Sequence, residues 1–274
     1  MRPGALKTIL IAGVLAYAGI VALLWFAQES LLFFPQSAVG EPFAPAGWTL
    51  EKVSITAADG TPLAGVLVIP PGSSTSRTPA VLYFGGNAEE VTFFARQAEG
   101  YYGRRAVLLV NYRGYGKSGG RPGEQALVAD ALAIYDWAAR RADLDPARFC
   151  AHGRSLGTGV AVQLAAARPL QCVVLTSPYD SMLAVAKSHY PWIPVGWFLR
   201  HRFESIAHAA SLTMPLFVIY GGADTIVHPE RSERLASAWG GPVERLRLEP
   251  SGHNDLDFDP RYAPAIAAFI DRHL

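Results

Sequence analysis

Four short, predominantly apolar runs constrain this chain more than any other feature: AVLYF from position 80, AVLLVNY from 106, CVVLTS from 172 and LFVIY from 216. A strand with one wet face alternates apolar and polar residues. A strand that is apolar at nearly every position is buried on both faces, the condition of a parallel sheet covered by helices. RFCAH, from 148, supplies another strand between the second and third runs. The intervening windows 89–99, 124–141, 156–167 and 229–239 read as helices; in the second, Leu127, Ala131, Ile134, Tyr135 and Ala138 recur near a 3.6-residue period. Arg140 and Arg141 suit the negative end of that helix. Upstream, WTLEKVSITAADGTPLAGVLVIP reads as a hairpin turning at Asp59-Gly60, followed by the polar loop PPGSSTSRTP. VERLRLEP and RYAPAIAAFIDRH close the pattern as a strand and a helix. The class is α/β, a mostly parallel central sheet flanked by helices. No repeat and no long linker follows Trp48, so residues 31–274 form one domain.

Residues 8–27, TILIAGVLAYAGIVALLWFA, contain no charge. Twenty helical residues rise about 30 Å, the thickness of a bilayer core. Arg2 and Lys7 precede this stretch while Gln28, Glu29 and Ser30 follow it, so residues 1–30 read as a transmembrane anchor with a cytoplasmic N-terminus. The domain then lies on the periplasmic side of a bacterial inner membrane. The AYA triplet at 16–18 leaves a cleaved signal peptide open, although apolar residues continue through Val21, Leu23, Leu24, Trp25 and Phe26. Net charge is +1 without a run of like charges, which offers no footprint for nucleic acid. Cys150 and Cys172 each sit in a strand and read as buried thiols rather than a disulfide. No metal-ligand spacing such as CxxC or HExxH occurs, and neither metal nor cofactor is expected.

One segment breaks the rhythm. Residues 179–211 are twice the usual helical insert and hold Tyr190, Trp192, Trp197, Phe198 and Phe203 with two prolines, Pro191 and Pro194. Residues 181–211 therefore read as an aromatic cap over an apolar pocket, with Tyr190, Trp192 and Trp197 as candidate substrate contacts. The alternative is that these rings pack a small core of the insert's own.

GRSLG, at 153–157, places Ser155 where a strand meets a helix. Its spacing alone recurs by chance in a chain with 26 glycines; the strand-turn-helix context is what gives it meaning. A serine hydroxyl needs a base within hydrogen-bond reach, and the base needs an orienting carboxylate. Asp224 lies just beyond LFVIY and His253 just beyond the last strand, in loops that share one edge of a parallel sheet. Asp180 is the reserve acid. The other histidines are poorer bases: His152 lies inside a strand, His189, His201 and His208 in the insert, His228 at a helix start and His273 at the terminus. Backbone donors for an oxyanion are expected from Leu156, directly after the serine, and from Asn87 in the loop GGNAEE, with Gly86 as the alternative.

GRSLG, FGGNAEE, NYRGYGKSGG, GGADTIV and SGHND together resemble the α/β-hydrolase superfamily, and within it the membrane-anchored abhydrolase branch of bud-emergence-type and prolyl-oligopeptidase-related serine hydrolases. ESLLFFPQ, after the anchor, fits the same branch. Where that branch usually has His-Gly-Asn in the oxyanion loop, this chain has Gly85-Gly86-Asn87, which keeps the backbone donors and removes any role of the histidine side chain. The resemblance implies a serine hydrolase that cleaves esters or thioesters through an acyl-enzyme, on small-molecule or lipid-like substrates. A peptidase or amidase on the same scaffold, and a non-catalytic binding protein, are the alternatives. Arg113 and Tyr115 in NYRGYGKSGG read as loop-ordering residues rather than catalytic ones.

Overall fold

The computed structural model describes residues 3–73 and 77–274; Arg2 and positions 74–76 of the polar loop lie outside the described residues. Among the described residues, eight strands form one sheet in the order β1-β2-β4-β3-β5-β6-β7-β8. β1 (Thr49–Thr56), β2 (Pro62–Ile69) and β4 (Ala106–Val110) pair antiparallel; from β4 onward, β3 (Thr78–Phe84), β5 (Leu144–Arg154), β6 (Cys172–Thr176), β7 (Leu216–Gly221) and β8 (Val243–Leu248) run parallel. Side chains alternate along each strand, so one sequence builds two apolar layers. Leu82, Phe84, Leu108, Ala151, Leu175 and Val218 face α3 (Glu124–Ala139), α4 (Leu156–Ala167) and α8 (Pro229–Ala238). Val81, Val107, Cys150, Val174 and Ile219 face α2 (Ala98–Tyr102) and α9 (Tyr262–His273) on the other side. Cys150 and Cys172 are neighbours across β5 and β6, buried and unbonded.

The window 89–99 is not one helix. It opens as a 3-10 turn, Val91–Gln97, before α2 begins. Two β-branched residues and two aromatics at its start resist the α-helix, and the Val91 amide donates to the side-chain oxygen of Asn111 at 3.0 Å.

The N-terminal helix α1 runs Pro3–Leu32, two residues past the expected domain boundary, and is long and apolar enough to span a membrane. Its C-terminal end is fastened to the body. Gln28 is buried, with its amide donating to the carbonyl of Trp25 and its oxygen accepting from the Arg200 amide at 2.9 Å. Phe33 enters the core, and the Phe34 amide donates to the carbonyl of Asn87 at 3.0 Å. The insert comprises α5 (Met182–His189) and two short helices, α6 (Val195–Phe198) and α7 (Ile206–Ala209). Phe203 in it packs into the main core.

The loop after β4 is ordered from within. Arg113 donates to both oxygens of buried Asp130 on α3 and to Asp59 at 2.8 Å. Tyr115, buried beside it, accepts from the Phe34 amide and donates to the Asn87 carbonyl at 2.7 Å, joining three segments at one hydroxyl. Arg113→Met leaves the Asp130 charge buried without its partner, so stability is expected to fall by roughly 3–5 kcal/mol in urea unfolding of the detergent-solubilised chain. A change below about 1 kcal/mol would mean the pair is an ordinary exposed ion pair.

Candidate active site

Three loops at the carboxyl edge of the parallel strands bring the site together. β5 ends at Arg154 and α4 begins at Leu156, which leaves the reversal to Ser155 alone, at φ 48° and ψ −115°. A left-handed backbone is costly for a side-chain-bearing residue, so the surroundings must enforce it. They do so by close approach: a Cβ on Gly153 would strike the Gly157 carbonyl, and one on Gly157 would strike the Phe84 carbonyl. The Ser155 amide donates to the Thr176 carbonyl at 2.9 Å, tying the turn to β6.

His253 Nε2 lies 2.9 Å from Ser155 Oγ, and Nδ1 lies 2.7 Å from Asp224 Oδ2. A carboxylate only accepts, so in the neutral imidazole the hydrogen is on Nδ1 and Nε2 accepts from the Ser155 hydroxyl. The other oxygen of Asp224 accepts from the amides of Ile226 and Val227 at 2.9 and 2.8 Å, and the side chain is fully buried. The two loops are stitched to each other, since the Ala223 amide donates to the Ser251 carbonyl and the Gly222 amide to Leu248, each at 2.9 Å. Asp180, the reserve acid, instead faces Arg231 at 3.1 Å.

At the loop after β3, the Gly86 amide donates to Glu89 at 2.9 Å. The Asn87 amide has no acceptor among the described residues, and Leu156 is the first residue of α4, whose amide has no carbonyl four residues earlier inside the helix. Asn87 is held by its carbonyl, which accepts from Phe34 and Tyr115, and by its side chain, which donates to the Leu32 carbonyl at 3.3 Å.

A model of the α/β-hydrolase fold matches residues 79–210 of the chain. An uncharacterized protein of Mycobacterium tuberculosis is 40% identical over 259 residues, spanning 93% of this chain and 90% of that protein. This chain belongs to the α/β-hydrolase superfamily. Among solved structures, the acetyl xylan esterase of Paenibacillus sp. R4 superposes with a TM-score of 0.72 at 19% identity, over 92% of this chain and 94% of that one. An esterase of Pyrococcus furiosus gives 0.67 at 21% identity, over 88% and 97%. These two share the fold with this α/β hydrolase.

Two cavities meet at Ser155. The first, about 250 Å³, is apolar and is lined by Leu156, Met182, Val185, Tyr190, Val195 and Phe198, with Leu24, Gln28, Leu31 and Leu32 of α1 completing its wall. The second, about 500 Å³, is polar and includes Tyr83, Glu89, Arg154, His253, Asp257 and Tyr262.

Of the three aromatic candidates, only Tyr190 lines the apolar cavity. Trp192 and Trp197 are 83% and 90% exposed and do not line it. In the single turn of α6, which Pro194 caps, Val195 is buried and lines the cavity with Phe198. The contribution of α1 to the wall was missed. Gln28, the first polar residue after a long apolar stretch, is the sequence signal that could have shown it.

His152 lies beneath the site, between the hydroxyls of Tyr102 at 2.6 Å and Thr176 at 3.0 Å. Burial, and to a lesser extent the charge of Arg154, pushes its pKa down to about 3. The unfolded chain binds a proton here near pH 6.5 and the folded one only near pH 3, so below about 6.5 stability falls as pH falls, with a slope approaching about 1.4 kcal/mol per unit. Urea unfolding between about pH 7 and 4.5 is expected to show a shallower loss for His152→Gln than for the unchanged chain; parallel curves would contradict the assignment.

Proposed function

We propose that this chain is a membrane-anchored serine esterase acting on acyl esters or thioesters. The observation that carries the reading is the unbroken hydrogen-bond chain from Ser155 through His253 to Asp224, at 2.9 and 2.7 Å. As His253 accepts the hydroxyl proton, Ser155 Oγ attacks the acyl carbonyl carbon, and Asp224 stabilises the imidazolium that forms. The free amides of Leu156 and Asn87 receive the developing oxyanion. His253 then returns the proton to the leaving alcohol or thiol, and the acyl group remains on Ser155. Water deprotonated by His253 attacks that ester and releases the acid.

The apolar cavity suits the acyl chain, and the residues of α1 in its wall link that cavity to a membrane. Lys7 and Glu29 are 22 residues apart, about 33 Å in a helix, close to a bilayer core. Along this stretch the Tyr17 hydroxyl donates to the Trp192 carbonyl at 2.7 Å, and Arg200 lies 4.4 Å from the Trp25 ring while pairing with Glu29. In this reading the cap stands beside the part of α1 in lipid, where the exposed rings of Trp192 and Trp197 have apolar surroundings, and the domain faces the periplasm of a bacterium. Esters drawn from the bilayer reach Ser155 past Leu24 and Leu31.

An ester panel tests this. With a fixed leaving group, kcat/KM is expected to rise by up to about fourfold for each added CH₂ until the cavity is filled, the amount that burying a methylene supplies. Val185→Trp, which narrows the cavity, is expected to move the optimum to shorter chains. Chain-length indifference, or faster cleavage of matched amides than of esters, would overturn the reading in favour of a polar esterase or an amidase.

A further inference from the structure

The polar cavity on the other side of Ser155 contains an arginine with nothing to hold. Among the described arginines, Arg96, Arg121, Arg140 and Arg154 have no protein acceptor or ion pair; the first three are exposed, and only Arg154 is half-buried. It is the residue before Ser155, and its side chain lines the same cavity as Ser155 and His253. A guanidinium is permanently charged, presents five N–H donors in a flat fork, and is costly to withdraw from water without acceptors. A cavity that holds one in this state, one residue from the nucleophile, is complementary to a planar or tetrahedral oxyanion bound through two oxygens.

The neighbouring carboxylates do not fill that role. Glu89 accepts from the Tyr83 hydroxyl at 2.7 Å and from the Gly86 amide at 2.9 Å. Glu90 is engaged by Thr92 and Asn111. Asp257 is exposed and acts on Arg154 only at a distance, with no hydrogen bond or ion pair between them. His152 is consumed by Tyr102 and Thr176, and His253 by Ser155 and Asp224. Glu89 and Asp257 lie near enough to act on the Arg154 charge, but neither takes its N–H donors, so the guanidinium fork stays free for an anion in the same cavity as Ser155.

We infer that Arg154 forms an anion subsite for the leaving group, so that the preferred substrate is an apolar acyl chain esterified to an alcohol or thiol bearing a carboxylate or phosphate. The inference rests on the esterase reading above and adds the chemistry of the second half of the substrate. Arg154 binds the leaving group and takes no proton; its donors orient the scissile bond across Ser155, with the acyl chain directed into the opposite cavity.

The test uses the full chain in detergent micelles and three esters with one acyl group, whose leaving alcohols carry a carboxylate, a phosphate or a neutral group of similar size. For Arg154→Gln, kcat/KM is expected to fall roughly 10- to 100-fold on the preferred anionic ester, chiefly through KM, and less than about threefold on the neutral one. Arg154→Lys is expected to recover part of the loss as a point charge without the fork. The better of the two anionic esters identifies carboxylate or phosphate as the ligand. Equal losses on charged and neutral esters would mean that Arg154 only supports the elbow, and a wild-type chain indifferent to leaving-group charge would also overturn the inference. Absence of turnover on all three would instead reject the esterase reading itself.

Discussion

The close crossing of β5 and α4 is the constraint on which the rest of the site depends. Gly153 leaves no room for a side chain against α4, nor Gly157 against the end of β3, so the helix and these strands approach until the chain can reverse only through Ser155. That approach fixes three things together: the left-handed backbone of Ser155, the free amide of Leu156 at the start of α4, and the opening of both cavities at one hydroxyl. The strain is borne by the parallel sheet, whose β5 lies centrally between β3 and β6. Asp224 and His253 need no such strain, because loops following β7 and β8 emerge at the same edge.

The second organising contact lies between α1 and the body. The last turns of this helix and the two residues after it touch the insert through Gln28 and Glu29, the core through Phe33, and the Asn87 loop through Leu32 and Phe34. A segment that composition marks as an anchor is therefore also part of the pocket wall. The position of Asn87, and with it the geometry of its amide, depends on residues more than fifty positions earlier in the chain.

The sheet was legible because a buried parallel strand leaves a nearly unbroken apolar run, and the convergence of Ser155, Asp224 and His253 because loop order follows strand order. The fate of the aromatic insert was not. Hydropathy marks Tyr190, Trp192 and Trp197 alike, yet Tyr190 lines the apolar cavity while Trp192 and Trp197 stand 83% and 90% exposed. Arg154 stands within GRSLG itself, but its significance lies in missing partners, and a missing partner has no sequence signature. The choice of Asn87 over Gly86 as a free amide likewise depends on Glu89, three residues away from Gly86, turning back to occupy it.

The central claim is that Ser155 is an activated nucleophile. Intact-mass measurement of the full chain after exposure to a fluorophosphonate tests it most directly. The account predicts a single stoichiometric phosphonyl adduct, mapped to Ser155 and absent from Ser155→Ala. An unmodified chain, or an adduct that persists in Ser155→Ala, would contradict it; the former would leave a binding protein built on a hydrolase fold.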